Sequence, residues 1–198
     1  MSARDIDITI YGATGFTGSL VAEYLAGIGA GDADFKLAFA GRNGDKLRAL
    51  AEANGCADRV TLIEADASDR AALDALAARS KVVIAMAGPY AQYGSELLAA
   101  CVEAGTDYVD LCGEPQWMRA KIEEHQARAQ ETGARIVFSC GFDSIPSDLG
   151  VFHLQSLAKD KFGGAFSRVK GRVERIQGGP SGGTVASLVG STKAAANP

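Results

Sequence analysis

Ile6-Asp7-Ile8-Thr9-Ile10-Tyr11-Gly12-Ala13-Thr14-Gly15-Phe16-Thr17-Gly18 decides the fold of this chain. The run from Ile6 to Tyr11 alternates into β-branched residues and predicts a buried strand. Three glycines follow at three-residue spacing. From Phe16 onward Leu20, Val21, Tyr24, Leu25 and Ile28 recur at helical intervals, and the Gly27 to Gly31 region ends the pattern. Strand, glycine turn and helix in that order form the setting in which a dinucleotide's pyrophosphate is held. Small residues let the backbone approach the phosphates, and the free amides and positive end of the helix stabilise their charge. The spacing is GxxGxxG rather than GxGxxG, but Ala13 and Thr14 are small enough for the same close turn. The candidate cofactor loop is therefore Gly12, Ala13, Thr14, Gly15, Phe16, Thr17 and Gly18.

Working outward, the same grammar repeats. Apolar runs at Phe35 to Ala40, Val60 to Ala65, Lys81 to Ala87, Asp107 to Leu111 and Arg135 to Ser139 predict five more strands. Helices are expected between them at Asp45 to Ala53, Asp69 to Arg79, Ser95 to Ala104 and Pro115 to Thr132. Short apolar strands alternating with helices imply a parallel sheet covered on both faces, because each crossover is right-handed and lays a helix on the sheet. The expected fold class is α/β, a Rossmann-like doubly wound parallel sheet over residues 1–145.

Beyond Ser144 the pattern changes. Pro146 suits a first helical turn, with Ser144 as a cap and the helix continuing from Asp148 to Phe162. Arg168 to Ile176 alternates charged and apolar residues as a half-wet strand does, and a glycine-rich stretch from Gly178 to Thr184 leads into a helical segment before Pro198. One strand and one helix do not make a domain. Residues 146–198 are thus expected to be a connecting helix and the first elements of an incomplete α+β second domain for substrate binding and dimerisation.

Composition narrows the function. The 198 residues are 47% apolar, 22% charged and 7% aromatic with a net charge of -4, the profile of an ordinary globular protein. Lys and Arg are interspersed with Asp and Glu, which argues against nucleic acid as a partner. Val82 to Gly88, the longest nearly apolar stretch, is too short to span a bilayer, so no transmembrane segment is expected. The N-terminus lacks a signal peptide's basic segment and apolar run, so a cytoplasmic location follows, peripheral membrane association being left open. Cys56, Cys101, Cys112 and Cys140 lack CxxC spacing, and His125 and His153 read as surface residues, so no metal is expected.

Cofactor selectivity is read at the end of the second strand. An NAD site usually carries an acid there to bond the ribose 2'-hydroxyl, whereas this chain has Arg42, followed by Asn43 and Lys46. A guanidinium suits a 2'-phosphate, so NADP(H) is favoured over NAD(H), with Lys46 assisting. Asp66 either bonds the adenine amino group or caps the helix beginning at Asp69. Ala87, Gly88 and Pro89 follow the fourth strand where the nicotinamide half passes.

Several motifs in order carry a resemblance. GATGFTG (Gly12 to Gly18), AGRN (Ala40 to Asn43), AGPYAQYG (Ala87 to Gly94), AGTDYVDLCGE (Ala104 to Glu114) with Pro115 and Trp117, and CGFDSIPSDLG (Cys140 to Gly150) together resemble the saccharopine dehydrogenase-like oxidoreductases. The branch that includes the mycobacterial trans-acting enoyl reductases is nearest. The resemblance implies an NAD(P)-binding Rossmann domain followed by a substrate and dimerisation domain, whose early part SGGTVASL (Ser181 to Leu188) resembles. It implies hydride transfer to or from a C=N or C=C bond of a small-molecule or lipid-linked substrate, and a homodimer of the longer protein. The alternative is an NADP-binding redox sensor or scaffold without chemistry.

Catalytic candidates are few. Tyr90 and Tyr93 either donate to substrate or pack over the cofactor, and no tyrosine has the lysine four residues on that short-chain dehydrogenases use. Cys112 and Cys140 end the fifth and sixth strands, where buried cysteine is ordinarily a small apolar residue. Asp143 either contacts ligand or helps begin the helix at Pro146.

Overall fold

The computed structural model describes residues 4–28, 35–179 and 181–196. The elements run in the order β1 (Ile6–Tyr11), α1 (Phe16–Ile28), β2 (Leu37–Gly41), α2 (Gly44–Ala53), β3 (Val60–Glu64), α3 (Arg70–Arg79) and β4 (Ser80–Ala85). They continue through α4 (Tyr90–Tyr93), α5 (Ser95–Ala104), β5 (Asp107–Asp110), α6 (Pro115–Thr132), β6 (Ile136–Val137), α7 (Ile145–Phe162) and α8 (Gly182–Ala196). The six strands form one all-parallel sheet in the order β3-β2-β1-β4-β5-β6. This is the expected Rossmann-like architecture. Its strand order reverses between β1 and β4, and a crevice opens there at the carboxyl ends.

Neighbouring residues on each central strand supply opposite cores. Tyr11 and Ala40 face a layer built by α3, α5 and α6 with Leu73, Leu97 and Trp117, while Ile10 and Phe39 face α1 and α2 with Ala22, Leu47 and Ala51. Burying each large apolar side chain contributes about 1.5–3 kcal/mol, which is why the strands read as continuous apolar runs. Asn43 caps α2 by accepting from the Lys46 N–H at 2.9 Å, and Asp69 caps α3 by accepting from the Ala72 N–H at 3.0 Å.

Three differences from expectation have local causes. Arg168 to Ile176 forms no strand and pairs with none among the described residues, since an alternating pattern holds as a strand only with a partner ladder. Ser144 precedes α7 but makes no side-chain capping bond. The Gly27 to Gly31 stop is partly seen, α1 ending at Ile28, while residues 29–34 lie outside the described residues, as do Pro180 and Pro198. His125 is not a plain surface residue. Its side chain is 16% exposed, and its Nε2 is buried without a hydrogen bond, 3.5 Å from a Glu124 carboxylate oxygen. No helix among the described residues is long and apolar enough to cross a membrane.

Candidate functional site

The glycine turn is built by interlock rather than by flexibility. Gly12 has a φ of +80°, and a Cβ there would sit 2.9 Å from the Ala87 nitrogen at the end of β4. At Gly18 a Cβ would lie 2.2 Å from the Gly12 carbonyl oxygen and 3.0 Å from the Ala13 Cα. Thus the first turn of α1 is pressed against the turn that precedes it, and that turn is pressed against Met86 and Ala87, just past the end of β4 across the switch point. Gly12 and Ala13 donate to the Ala40 carbonyl at 2.8 and 3.2 Å, pinning the turn to β2. Thr14, Gly15 and Phe16 are exposed, and the first turn of α1 carries no acid, so its positive end faces the crevice without a built-in anion.

Around the ends of β2 and β3 the predicted residues separate by role. Arg42 and Lys46 are exposed, and neither makes an ion pair among the described residues. The Arg42 charge reaches both Asp66 and the buried Tyr11 phenol, whose pKa burial pushes up to about 12. Asn43 spends its side-chain oxygen on the α2 cap. Asp66 does not cap α3, because Asp69 does. Its carboxylate instead accepts from the Ser68 hydroxyl at 2.6 Å and the Ser68 N–H at 2.9 Å, and those bonds hold it below the usual carboxylate range.

Two lobes of the crevice, about 530 and 730 Å³, share Thr17, Met86, Leu111, Gly113, Pro115 and Asp143 as walls. The smaller adds Gly15, Phe16, Gly88, Tyr90 and the start of α8 at Ser181, Gly183, Thr184 and Ser187. The larger adds Val21, Ile84, Met118, Ser139 and Phe142. Among the described residues Asp143 and Asp110 are the charged ones in these walls, and no described Lys, Arg or His lines either lobe.

The catalytic candidates are placed unevenly. Tyr90 borders the smaller lobe, but its hydroxyl donates to the Ala85 carbonyl at 2.9 Å and accepts from the Leu111 N–H at 3.3 Å, and burial pushes its pKa far up. It is a buried tie between strand ends. Tyr93 is 40% exposed and lines neither lobe. Cys112 is buried, accepts from the Glu114 N–H at 3.3 Å, and burial raises its thiol pKa to about 12, which favours the protonated thiol. Burial raises the Cys140 thiol too. Asp143 is exposed and is the candidate that lines both lobes.

Two acids escaped the sequence reading. Asp110 is fully buried at the end of β5 and accepts from the Cys112 N–H at 3.0 Å, the Ser139 N–H at 2.9 Å and the Tyr108 hydroxyl at 3.0 Å. Burial holds its carboxyl above the usual range. Ser139 has a φ of +60°, an unusual backbone region for serine, and Asp110 fixes it there. Glu114, 6% exposed, accepts from the Tyr90 and Ala91 N–H groups at 2.8 and 2.9 Å. An acid inside an apolar strand run was the available signal for Asp110.

These bonds make a prediction. Asp110→Ala strands two buried N–H donors and is expected to destabilise the fold by about 3 kcal/mol or more. Asp110→Asn keeps an oxygen for both N–H groups and gives the Tyr108 hydroxyl an N–H to accept, so the expected loss is under about 1 kcal/mol. Urea unfolding of the two variants checks this. Equal losses would contradict the bonding scheme.

Residues 8–137 match the family described as saccharopine dehydrogenase NADP binding domain. The chain belongs to that family. The chain is 48% identical over 195 residues to a Mycobacterium tuberculosis protein that carries a provisional trans-acting enoyl reductase name, covering 98% of the chain and 46% of that protein. A trans-acting enoyl reductase of Mycobacterium bovis is 50% identical over 153 residues, 76% of this chain and 36% of its own. The chain thus spans about half the length, or less, of the curated relatives it matches. Saccharopine dehydrogenase from Saccharomyces cerevisiae matches with a TM-score of 0.58 at 23% identity, over 78% of this chain and 30% of that one, which shows the shared fold.

Proposed function

We propose that the chain is the NADPH-binding part of an oxidoreductase that reduces a neutral, apolar substrate at a C=C bond. The observation that carries this reading is the crevice wall: apart from Asp143 and Asp110, the described side chains lining the two lobes are uncharged, and none of them is a cation that would receive the carboxylates of an amino-acid adduct. That favours an enoyl substrate over an imine, in keeping with the names of the relatives.

The residues present fit the cofactor. Gly12 and Gly18 leave the close approach that a Cβ would fill, and the exposed Thr14 to Phe16 turn at the start of α1 receives the pyrophosphate, the Gly15 N–H being spent on the Gly12 carbonyl at 3.0 Å. Arg42 and Lys46 take the 2'-phosphate, Asp66 lies at the adenine side, and Ala87, Gly88 and Pro89 border the nicotinamide side. When bound, NADPH supplies the hydride. The chain's own part is to orient that end against Met86 and Leu111, exclude water with the apolar wall, and present Asp143 to the substrate.

Exposed apolar side chains along α7 and α8, among them Leu149, Phe152, Phe162, Val185 and Leu188, support reading residues 146–198 as the opening of a substrate and dimerisation unit in a protein of the relatives' length. On this reading the 198 residues bind NADPH but do not turn over substrate alone, and the longer protein does. NADPH oxidation by the longer protein is to be followed with an α,β-unsaturated thioester and, separately, with an amino acid and oxo acid pair. Thioester turnover alone is expected. Turnover of the pair alone would reverse the substrate class, and tight NADPH binding with neither turnover would favour the sensor or scaffold.

A further inference from the structure

Glu114 lies behind the smaller lobe and touches both of its walls. Its Oε1 accepts from the Tyr90 N–H at 2.8 Å and from the Ser187 hydroxyl at 2.8 Å, while its Oε2 accepts from the Ala91 N–H at 2.9 Å. Tyr90 and Gly88 belong to one wall of that lobe, Ser187 and Thr184 to the other. The carboxylate makes no ion pair among the described residues, so these three donors are its compensation for burial. A neutral amide cannot replace it, because one end of a glutamine would point N–H against N–H. On the α8 side, Ser187 makes the hydrogen bond that ties this helix to the sheet domain; the other described side-chain bonds of α8 stay within the helix or its Ser181 cap.

We propose that Glu114 is a positioning residue for the nicotinamide half of the cofactor, fixing through Ser187 the separation between the Gly88 to Ala91 turn and α8. The inference rests on the NADPH reading above, and its reach is confined to one end of the ligand. Arg42 and Lys46 lie beyond β2, away from this lobe, so the adenosine half keeps its contacts when the latch is broken.

Two probes separate the halves: NADPH, and adenosine 2',5'-bisphosphate, which has the 2'-phosphate but no nicotinamide. Titration calorimetry reads both, and NADPH emission reports the nicotinamide's surroundings. Ser187→Ala is expected to weaken NADPH binding about fivefold and Glu114→Gln about tenfold or more, with the bisphosphate held within about twofold in each. Ser187→Thr, which keeps the hydroxyl, is expected to restore wild-type binding and emission. NADPH affinity unchanged in Ser187→Ala would overturn the proposal, as would equal loss for both probes. If Glu114→Gln does not fold, the Ser187 pair alone decides. Wild-type protein that binds neither probe would instead overturn the NADPH reading itself.

Discussion

Arg42→Ala is expected to weaken NADPH binding by about tenfold to a hundredfold while leaving NADH within about twofold of the wild type. The guanidinium is exposed and makes no ion pair among the described residues, so a 2'-phosphate meets an available fork of donors and displaces nothing. Since the site is open to solvent, the wild-type preference should shrink as salt rises, and the variant's affinity should depend less on salt. Fluorescence titrations with both cofactors at two ionic strengths measure this. Equal wild-type affinity for NADPH and NADH would sink the assignment.

Gly18→Ala should fail more completely. The added methyl would stand 2.2 Å from a backbone carbonyl oxygen, and the obstacle belongs to a turn already held by β2 and β4. Neither partner yields cheaply, so the expected cost is about 3 kcal/mol or more, a melting drop of about 6–12 °C in a chain of this size, with NADPH binding lost. Gly27→Ala in the same helix is the control, for a Cβ there meets nothing within 4 Å. It is expected to be neutral or to stabilise by about 0.5–1 kcal/mol. Thermal melts of the pair test the interlock, and a Gly18→Ala protein that melts and binds like the wild type would show the turn to be looser than described.

The sheet domain could be read from the chain because its rules are local. Strands buried on both faces must be apolar throughout, and a phosphate turn must be glycine-rich, so Ile6 to Gly18 announces itself. What escaped depends on distant partners. Asp110 looks like any acid near a turn until Ser139, 29 residues on, is seen to donate to it. Glu114 looks like a helix-start acid until the Tyr90 and Ala91 amides are seen above it. The four-residue α4 carries no periodic signal, and Arg168 to Ile176 has strand patterning without a partner. At the candidate site the glycine turn was legible by residue type, whereas the tie made by Tyr90 and the burial of Cys112 depend on packing between distant elements.

The strand order also has a consequence for biosynthesis. β1 is flanked by β2 and β4, and its partner Ser80 to Ala85 lies more than 70 residues downstream of it. A ribosome that has released only the glycine loop and its helix has released a ligand-binding motif with no place to dock, since Gly12 closes against Ala87. Affinity for a dinucleotide is therefore expected only once the fourth strand has emerged, and until then the apolar faces of β1 and β2 have no partner to cover them.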